Sequence, residues 1–210
     1  MMDIRCSATE RDAAREILGR LGEKRIVERI WNRDHTVWKP GPEEIANRLG
    51  WVDSPLRMAP FAPEMERFAG ALRSEGFTHA LLLGMGGSSL APEVLRKTFG
   101  VAGGFLDLAI VDSTDPDFIR YHARFLGERK TCFIVSTKSG TTVETLSLFR
   151  FFHEKMKALL GREEVGRRFV AVTDPGSPLA GLAEKTGFRA TFLNDPGIGG
   201  RYSALSWFGL

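Results

Sequence analysis

Cysteine is scarce in this chain: Cys6 and Cys132 are the only two among 210 residues. Neither stands in a C-x-x-C or Cys/His spacing, which leaves zinc and thiol redox chemistry without support and makes Cys132 a small core residue. The four histidines, His35, His79, His122 and His153, fall in separate segments with no partner at i+4, so a metal site is not expected. No run of 18 apolar residues occurs, and Met1-Met2-Asp3-Ile4-Arg5-Cys6 lacks the basic-then-apolar order of a signal peptide; the expectation is no membrane contact and a cytoplasmic address. An excess of one charge is also missing. The 29 Lys and Arg against 26 Asp and Glu leave only +3, and Arg11, Arg15, Arg20, Lys24, Arg25 and Arg29 are spread as on a solvated helix face, not as in a nucleic-acid patch. A Walker A loop, G-x-x-x-x-G-K-[ST], is absent.

What is present is an ordinary globular composition, 43% hydrophobic and 26% charged, long enough for one buried core and an appended element. Residues 1–74 read as a helical extension, with helices expected over 8–21, 23–32, 42–49 and 63–74 and turn chemistry at Trp38-Lys39-Pro40-Gly41-Pro42 and from Ser54-Pro55 to Pro63. From His79 onward short apolar runs alternate with helical stretches. Strands are expected over 79–83, 105–112, 130–136, 168–173 and 190–193, with helices over 90–99, 116–126, 143–160 and 178–186. That alternation predicts an α/β fold of three layers, a five-stranded parallel sheet flanked by helices, with the N-terminal helices packed on it. Leu148, Phe149, Phe152, Met156, Leu159 and Leu160 recur at three and four residues as one buried stripe.

Two turns close apolar runs in a way that points to an anion. Gly84-Met85-Gly86-Gly87-Ser88-Ser89 follows Ala80-Leu81-Leu82-Leu83, and Thr137-Lys138-Ser139-Gly140-Thr141-Thr142 follows Cys132-Phe133-Ile134-Val135. Glycine admits close approach of a phosphate to the backbone, and the following helix offers unpaired N–H groups and a positive dipole end. As a dinucleotide fingerprint the first turn is deficient, because Ser89 stands where G-x-G-x-x-G requires its third glycine. The second turn gathers four hydroxyls and one ammonium before an 18-residue helix, more than an N-cap needs. Glu144, in that helix's first turn, fits a capping box as well as a site. Asp112, Ser113, Asp115 and Asp174, at strand ends, read as helix caps.

Taken with Gly199-Gly200-Arg201-Tyr202-Ser203, these turns resemble the phosphoglucose isomerase (glucose-6-phosphate isomerase) family, whose core domains are of the sugar isomerase (SIS) class. The family signatures G-x-G-G-S, [ST]-K-[ST]-x-T-T-x-E-T and G-G-R-[FY]-S stand here at Gly84 to Ser88, Thr137 to Thr145 and Gly199 to Ser203. Gly140 replaces the aromatic of the common isomerases and makes the loop look like the S-x-S-G-x-T form of general SIS domains. The stretches Trp31 to Trp38 and Asn47 to Trp51 look like those of the isomerase half of transaldolase/phosphoglucose isomerase fusion proteins.

The resemblance implies that residues 75–210 form a sugar-phosphate-binding SIS domain, in which Ser88, Thr137, Lys138, Ser139 and Thr142, with Thr141 less directly, hold the phosphate and Gly87 lets it approach. It implies interconversion of glucose 6-phosphate and fructose 6-phosphate, in glycolysis and gluconeogenesis, with no cofactor. Arg201 would be catalytic, stabilising the cis-enediolate that forms as a proton moves between C1 and C2. The family's glutamate base, ring-opening histidine and catalytic lysine lie beyond the G-G-R motif, and none is assignable here. The apolar ending Ala204 to Leu210 reads as the opening of a helix. The expectation is therefore the N-terminal half of a larger isomerase, inactive alone, and a homodimer by analogy. The alternatives are a noncatalytic SIS module that senses a sugar phosphate and an isomerase of mannose or heptose phosphates.

Overall fold

The computed structural model describes residues 7–210; Cys6 lies outside the described residues. Ser7 caps α1 (Ala8–Glu23) through a reciprocal capping box with Glu10, which satisfies two of the helix's orphan donors. None of the residues of α1 is buried. It packs on α2 (Ile26–Trp31), which touches the turn Gly50–Asp53. The short helix α3 (Ser54–Met58) leads through a single turn to α4 (Ala62–Ser74).

The rest alternates strand and helix: β1 (His79–Gly84), α5 (Leu90–Phe99), β2 (Asp107–Val111), α6 (Pro116–Ala123), β3 (Thr131–Ser136), α7 (Val143–Leu160), β4 (Phe169–Thr173), α8 (Pro178–Lys185) and β5 (Ala190–Leu193). All neighbours pair in parallel in the order β2-β1-β3-β4-β5. The near-continuous apolar runs of β1, β3 and β4 are those of strands covered on both faces. The chain steps from β1 to one side for β2 and returns past it for β3. Right-handed crossovers then place α5 on one face and α6, α7 and α8 on the other.

Side chains alternate between those faces. Leu81, Leu83, Phe133, Val135, Phe169 and Ala171 pack with Leu148, Phe149, Phe152 and Met156 of α7 and Leu179 and Ala183 of α8. Phe133 stacks on Phe169 at 4.8 Å and meets Phe152 at 5.3 Å. Cys132 and Val170, on the opposite face, pack with Leu72 and Phe68 of α4 and with Phe77. Burial pushes the Cys132 thiol up to about 12, the state of an inert core cysteine.

Four expectations change. Residues 42–49 are turns with a 3-10 stretch at Ala46–Arg48, not a helix. Glu44 has φ +60, and Leu49 forms an antiparallel bridge with Ile198; eight residues cannot hold a helix against such contacts. Residues 54–61, read as linker, are helical. Of the N-terminal helices, α4 is the one that joins the core on the sheet. Leu159 is 55% exposed although its spacing places it in the stripe. Leu159 lies about 100° round the helix from Leu160, at the rim of the stripe. Leu160 does pack against the core.

These positions separate in stability. Phe133→Ala should cost about 3–5 kcal/mol, whereas Leu159→Ala should stay within about 0.5 kcal/mol, both read from urea denaturation midpoints. Equal losses would contradict this packing.

Candidate functional site

A sheet whose chain leaves β1 in one direction and β3 in the other opens a crevice between the loops at their carboxyl ends. Both glycine- and hydroxyl-rich turns lie there. Together with Gly200 and Asp174 they enclose a cleft of about 380 Å³, lined by Gly87, Ser88, Thr137, Lys138, Ser139 and Thr142, with Met85 and Ser136 behind. Thr141 and Arg201 are exposed and lie outside this lining. Arg201 follows Gly200 directly, in the 3-10 stretch Gly200–Leu205.

The first wall is the turn Gly86–Ser88, tied to β3 by Ser136 Oγ, which donates to the Ser88 carbonyl at 3.0 Å. It presses against the G-G-R-Y-S turn: a Cβ on Gly87 would lie 2.0 Å from Gly200 O and 2.6 Å from its carbonyl carbon. Only glycine permits two backbones to pass so closely. Ser203 Oγ secures the contact, donating within reach of Gly87 O at 3.1 Å and Gly200 O at 2.7 Å.

The far side of that turn is held by the segment before α4. Gly50 N donates to Gly197 O at 2.9 Å, Trp51 stacks on Tyr202 at 5.8 Å, and Arg57 pairs with Asp195. Phe61 and Phe192 flank Trp207 at 5.4 and 4.7 Å. Asn47 to Trp51 and the Pro-rich stretch after it thus position the site.

The second wall is the 137–142 loop. Thr142 is the N-cap of α7, yet its side chain makes no cap bond; its hydroxyl meets that of Thr137 at 2.9 Å instead. Glu144 is exposed and forms no capping box. The first turn of α7 therefore keeps its N–H groups and positive dipole end turned to the cleft. Ser139 Oγ accepts from Thr141 N at 3.2 Å and from the Thr141 hydroxyl at 2.9 Å, closing the loop.

Gly140 has φ +71, and a Cβ there would lie 2.8 Å from Leu179 N and 2.9 Å from Ser177 Cβ, so the loop can seat on α8 only with glycine. From β4, buried Thr173 donates to Thr137 O at 2.7 Å. Lys138 Nζ donates to Pro196 O at 2.9 Å and pairs with Asp174.

Asp115 does cap its helix, accepting from Asp117 N and Phe118 N at 3.1 and 2.9 Å, and Ser113 Oγ accepts from Asp115 N at 3.1 Å. Asp174, read as a cap, anchors Lys138 instead, and Ser177 caps α8. Asp174, Ser136 and Gly200 were not among the sequence-derived site residues. The place of Asp174 at the end of β4 is the signal that marks it.

The chemistry such a wall offers is anion binding: hydroxyl donors, free backbone N–H groups and an ammonium, with Lys138 and Asp174 the only ionisable residues among those lining the cleft. Gly87→Ala forces two backbones apart and should cost about 1–3 kcal/mol. Gly200 has open space at its own Cβ position, so Gly200→Ala should stay within about 0.5 kcal/mol. Thermal unfolding of both variants measures the contrast, and equal tolerance would contradict the contact.

Comparison with known proteins bears on the family. Residues 57–210 match the model of the family described as phosphoglucose isomerase. A glucose-6-phosphate isomerase of Thermus thermophilus is 36% identical over 168 residues, covering 80% of this chain and 39% of the relative. That of Acaryochloris marina is 33% identical over 196 residues, covering 90% and 35%. Among solved structures, a hypothetical protein from Thermus thermophilus superposes with a TM-score of 0.76 at 33% identity, over 92% of this chain and 44% of that one. A glucose-6-phosphate isomerase of Chlamydia trachomatis gives 0.61 at 28%, over 88% and 33%. The chain thus spans well under half the length of these relatives. With the family model matched over most of its length, and with relatives of that name at this identity, this chain belongs to the phosphoglucose isomerase family.

Proposed function

We propose that this chain carries the phosphate-anchoring part of an aldose-ketose isomerase that interconverts glucose 6-phosphate and fructose 6-phosphate. The observation that carries the reading is the uncapped N-terminus of α7. Thr137, Lys138, Ser139 and Thr142 surround it: Ser139 Oγ only accepts within the loop and keeps its proton to donate, one of the paired Thr137 and Thr142 hydroxyls does likewise, and Lys138 is held beside Asp174. A phosphate dianion there meets the dipole end and Lys138, with Ser88 and the Gly87 backbone on the opposite wall. Thr141, bonded to Ser139, shapes the loop rather than lining it.

Anchored in this way, the sugar extends from the phosphate toward the G-G-R-Y-S turn. Arg201 would turn its guanidinium to the C1–C2 edge and stabilise the cis-enediolate. Proton transfer from C2 needs a base, and no glutamate or histidine lines the cleft. The base and the ring-opening acid in this reading come from sequence that the longer relatives possess. In this reading residues 1–74 are a helical extension, of which the part from Leu49 to α4 braces a 75–210 sugar-phosphate domain. Self-association and a cytoplasmic location belong to the same reading. Among the described residues no helix is long and apolar enough to cross a membrane.

The missing base is also what a noncatalytic sugar-phosphate sensor would show. The two readings share the cleft and differ in turnover.

Calorimetric titration with fructose 6-phosphate tests the anchor. Binding should weaken at least about tenfold in a Ser139→Ala, Thr142→Ala variant, since each lost hydrogen bond to a charged group is worth about 1.5–3 kcal/mol. Equal affinity of the folded variant would sink the phosphate-loop reading. Turnover of the 210-residue chain in a coupled isomerase assay should stay at background; rates far above it would place the base within this chain.

A further inference from the structure

The opposite end of the sheet carries a second polar cleft, of about 520 Å³. His79, Asp107 and Thr131, the first residues of β1, β2 and β3, stand side by side in register and form its floor. Five residue steps of β1, about 17 Å, separate this floor from the glycine turn of the phosphate cleft. Arg96 enters from α5, Tyr121 and His122 from the last turn of α6, and Arg124 and Arg129 from the connection to β3.

The charges do not balance. Asp107 is the one carboxylate of the lining, and its Oδ1 accepts from both Nε and Nη2 of Arg96, at 3.2 and 2.6 Å. Arg124 and Arg129 have no carboxylate partner among the described residues. Their guanidinia lie over the Phe125 ring at 4.4 and 4.2 Å, and Arg124 also over Tyr121 at 4.0 Å. Stacking holds a guanidinium plane in place and leaves its N–H edge free to donate. His122 sits edge-on to Phe118 and Tyr121 at 4.8 and 5.2 Å, so its ring too is oriented. Two oriented, unneutralised guanidinia beside two imidazoles in a concave site form a receptor for a small anion.

We propose that this cleft at the N-terminal ends of β1–β3 is a second anion site, one that takes a small polyanion of the phosphate or pyrophosphate class on Arg124 and Arg129. The proposal does not depend on the phosphate-loop reading. An extended nucleic acid would need a basic surface, whereas this site is a cleft in a chain of nearly balanced charge.

A proton linkage follows. His79 is held below the ordinary imidazole range by burial and then by Arg129, with Asp107 opposing; His122 is held down by burial and then by Arg124. Both are therefore mainly neutral at pH 7. An anion seated on the arginines raises both, so these two imidazoles take up protons when it binds. The groups facing these rings are Asp107 from β2, Arg96 from α5, Tyr121 and Arg124 from α6 and its C-terminus, and Arg129 before β3.

The test is NMR titration of the four histidine ring resonances of the 210-residue chain with sodium pyrophosphate at fixed ionic strength. His79 and His122 should shift together and their pKa values rise by about half a unit or more, while His35 and His153 stay in place. Arg124→Gln with Arg129→Gln, which keeps side-chain bulk, should weaken this response at least about tenfold. The Ser139→Ala, Thr142→Ala variant should leave it unchanged, which separates this site from the phosphate loop. Unmoved His79 and His122 at about 10 mM pyrophosphate, weaker than any useful affinity, would overturn the proposal. So would an unaltered response in the folded arginine variant.

Discussion

The passage of one glycine backbone over another, Gly87 against Gly200, is the constraint on which the site depends. A side chain at Gly87 would occupy the space of the Gly200 carbonyl, so the two turns can meet only if the first presents a bare backbone. Once they meet, Ser203 bonds both carbonyls and the wall of the cleft is fixed. Everything that holds the G-G-R-Y-S turn against the sheet serves this contact. Leu49 bridging Ile198, Trp51 on Tyr202 and Arg57 on Asp195 are its outer supports.

The facing wall obeys the opposite logic. Where the first is fixed by the absence of a side chain, the 137–142 loop is fixed from beneath. Thr173 and the Ser177 cap of α8 hold its base, and Gly140 seats it on α8 in a left-handed conformation. The hydroxyls of the loop are thereby released from capping duty. A cleft whose donors are placed before the ligand arrives loses little on ordering when it binds. The same sheet then presents two chemistries at its two ends: backbone N–H groups and hydroxyls at the carboxyl ends, and stacked guanidinia at the amino ends.

Much of this was legible in the residues. The runs 79–83, 130–136 and 168–173 became strands nearly as written, because parallel strands covered on both faces leave unbroken apolar stretches. The stripe from Leu148 to Met156 became the buried face of α7. Two glycine-rich turns and one hydroxyl-rich turn carry the family resemblance in the sequence itself. Residues 42–61 were not legible, because their conformation is set by partners some 140 residues away in sequence, at Asp195 to Trp207. The pairing of Lys138 with Asp174 is hidden for the same reason. Arg96, Arg124 and Arg129 carry no motif in the sequence, and only the sheet brings them to one edge. Leu159 shows the limit of periodicity, which gives a face but not how far round the helix that face stays covered.

The proposed phosphate site lies between the Gly86–Ser88 turn and the N-terminus of α7. A crystal structure of this chain with fructose 6-phosphate tests it most directly. The phosphorus atom should lie within the 137–142 loop, its oxygens bonded to Ser139, Thr142 and backbone N–H groups at about 2.7–3.1 Å, with the sugar directed to the Gly200 side. A phosphate bound anywhere else, with the cleft left to solvent, would contradict it.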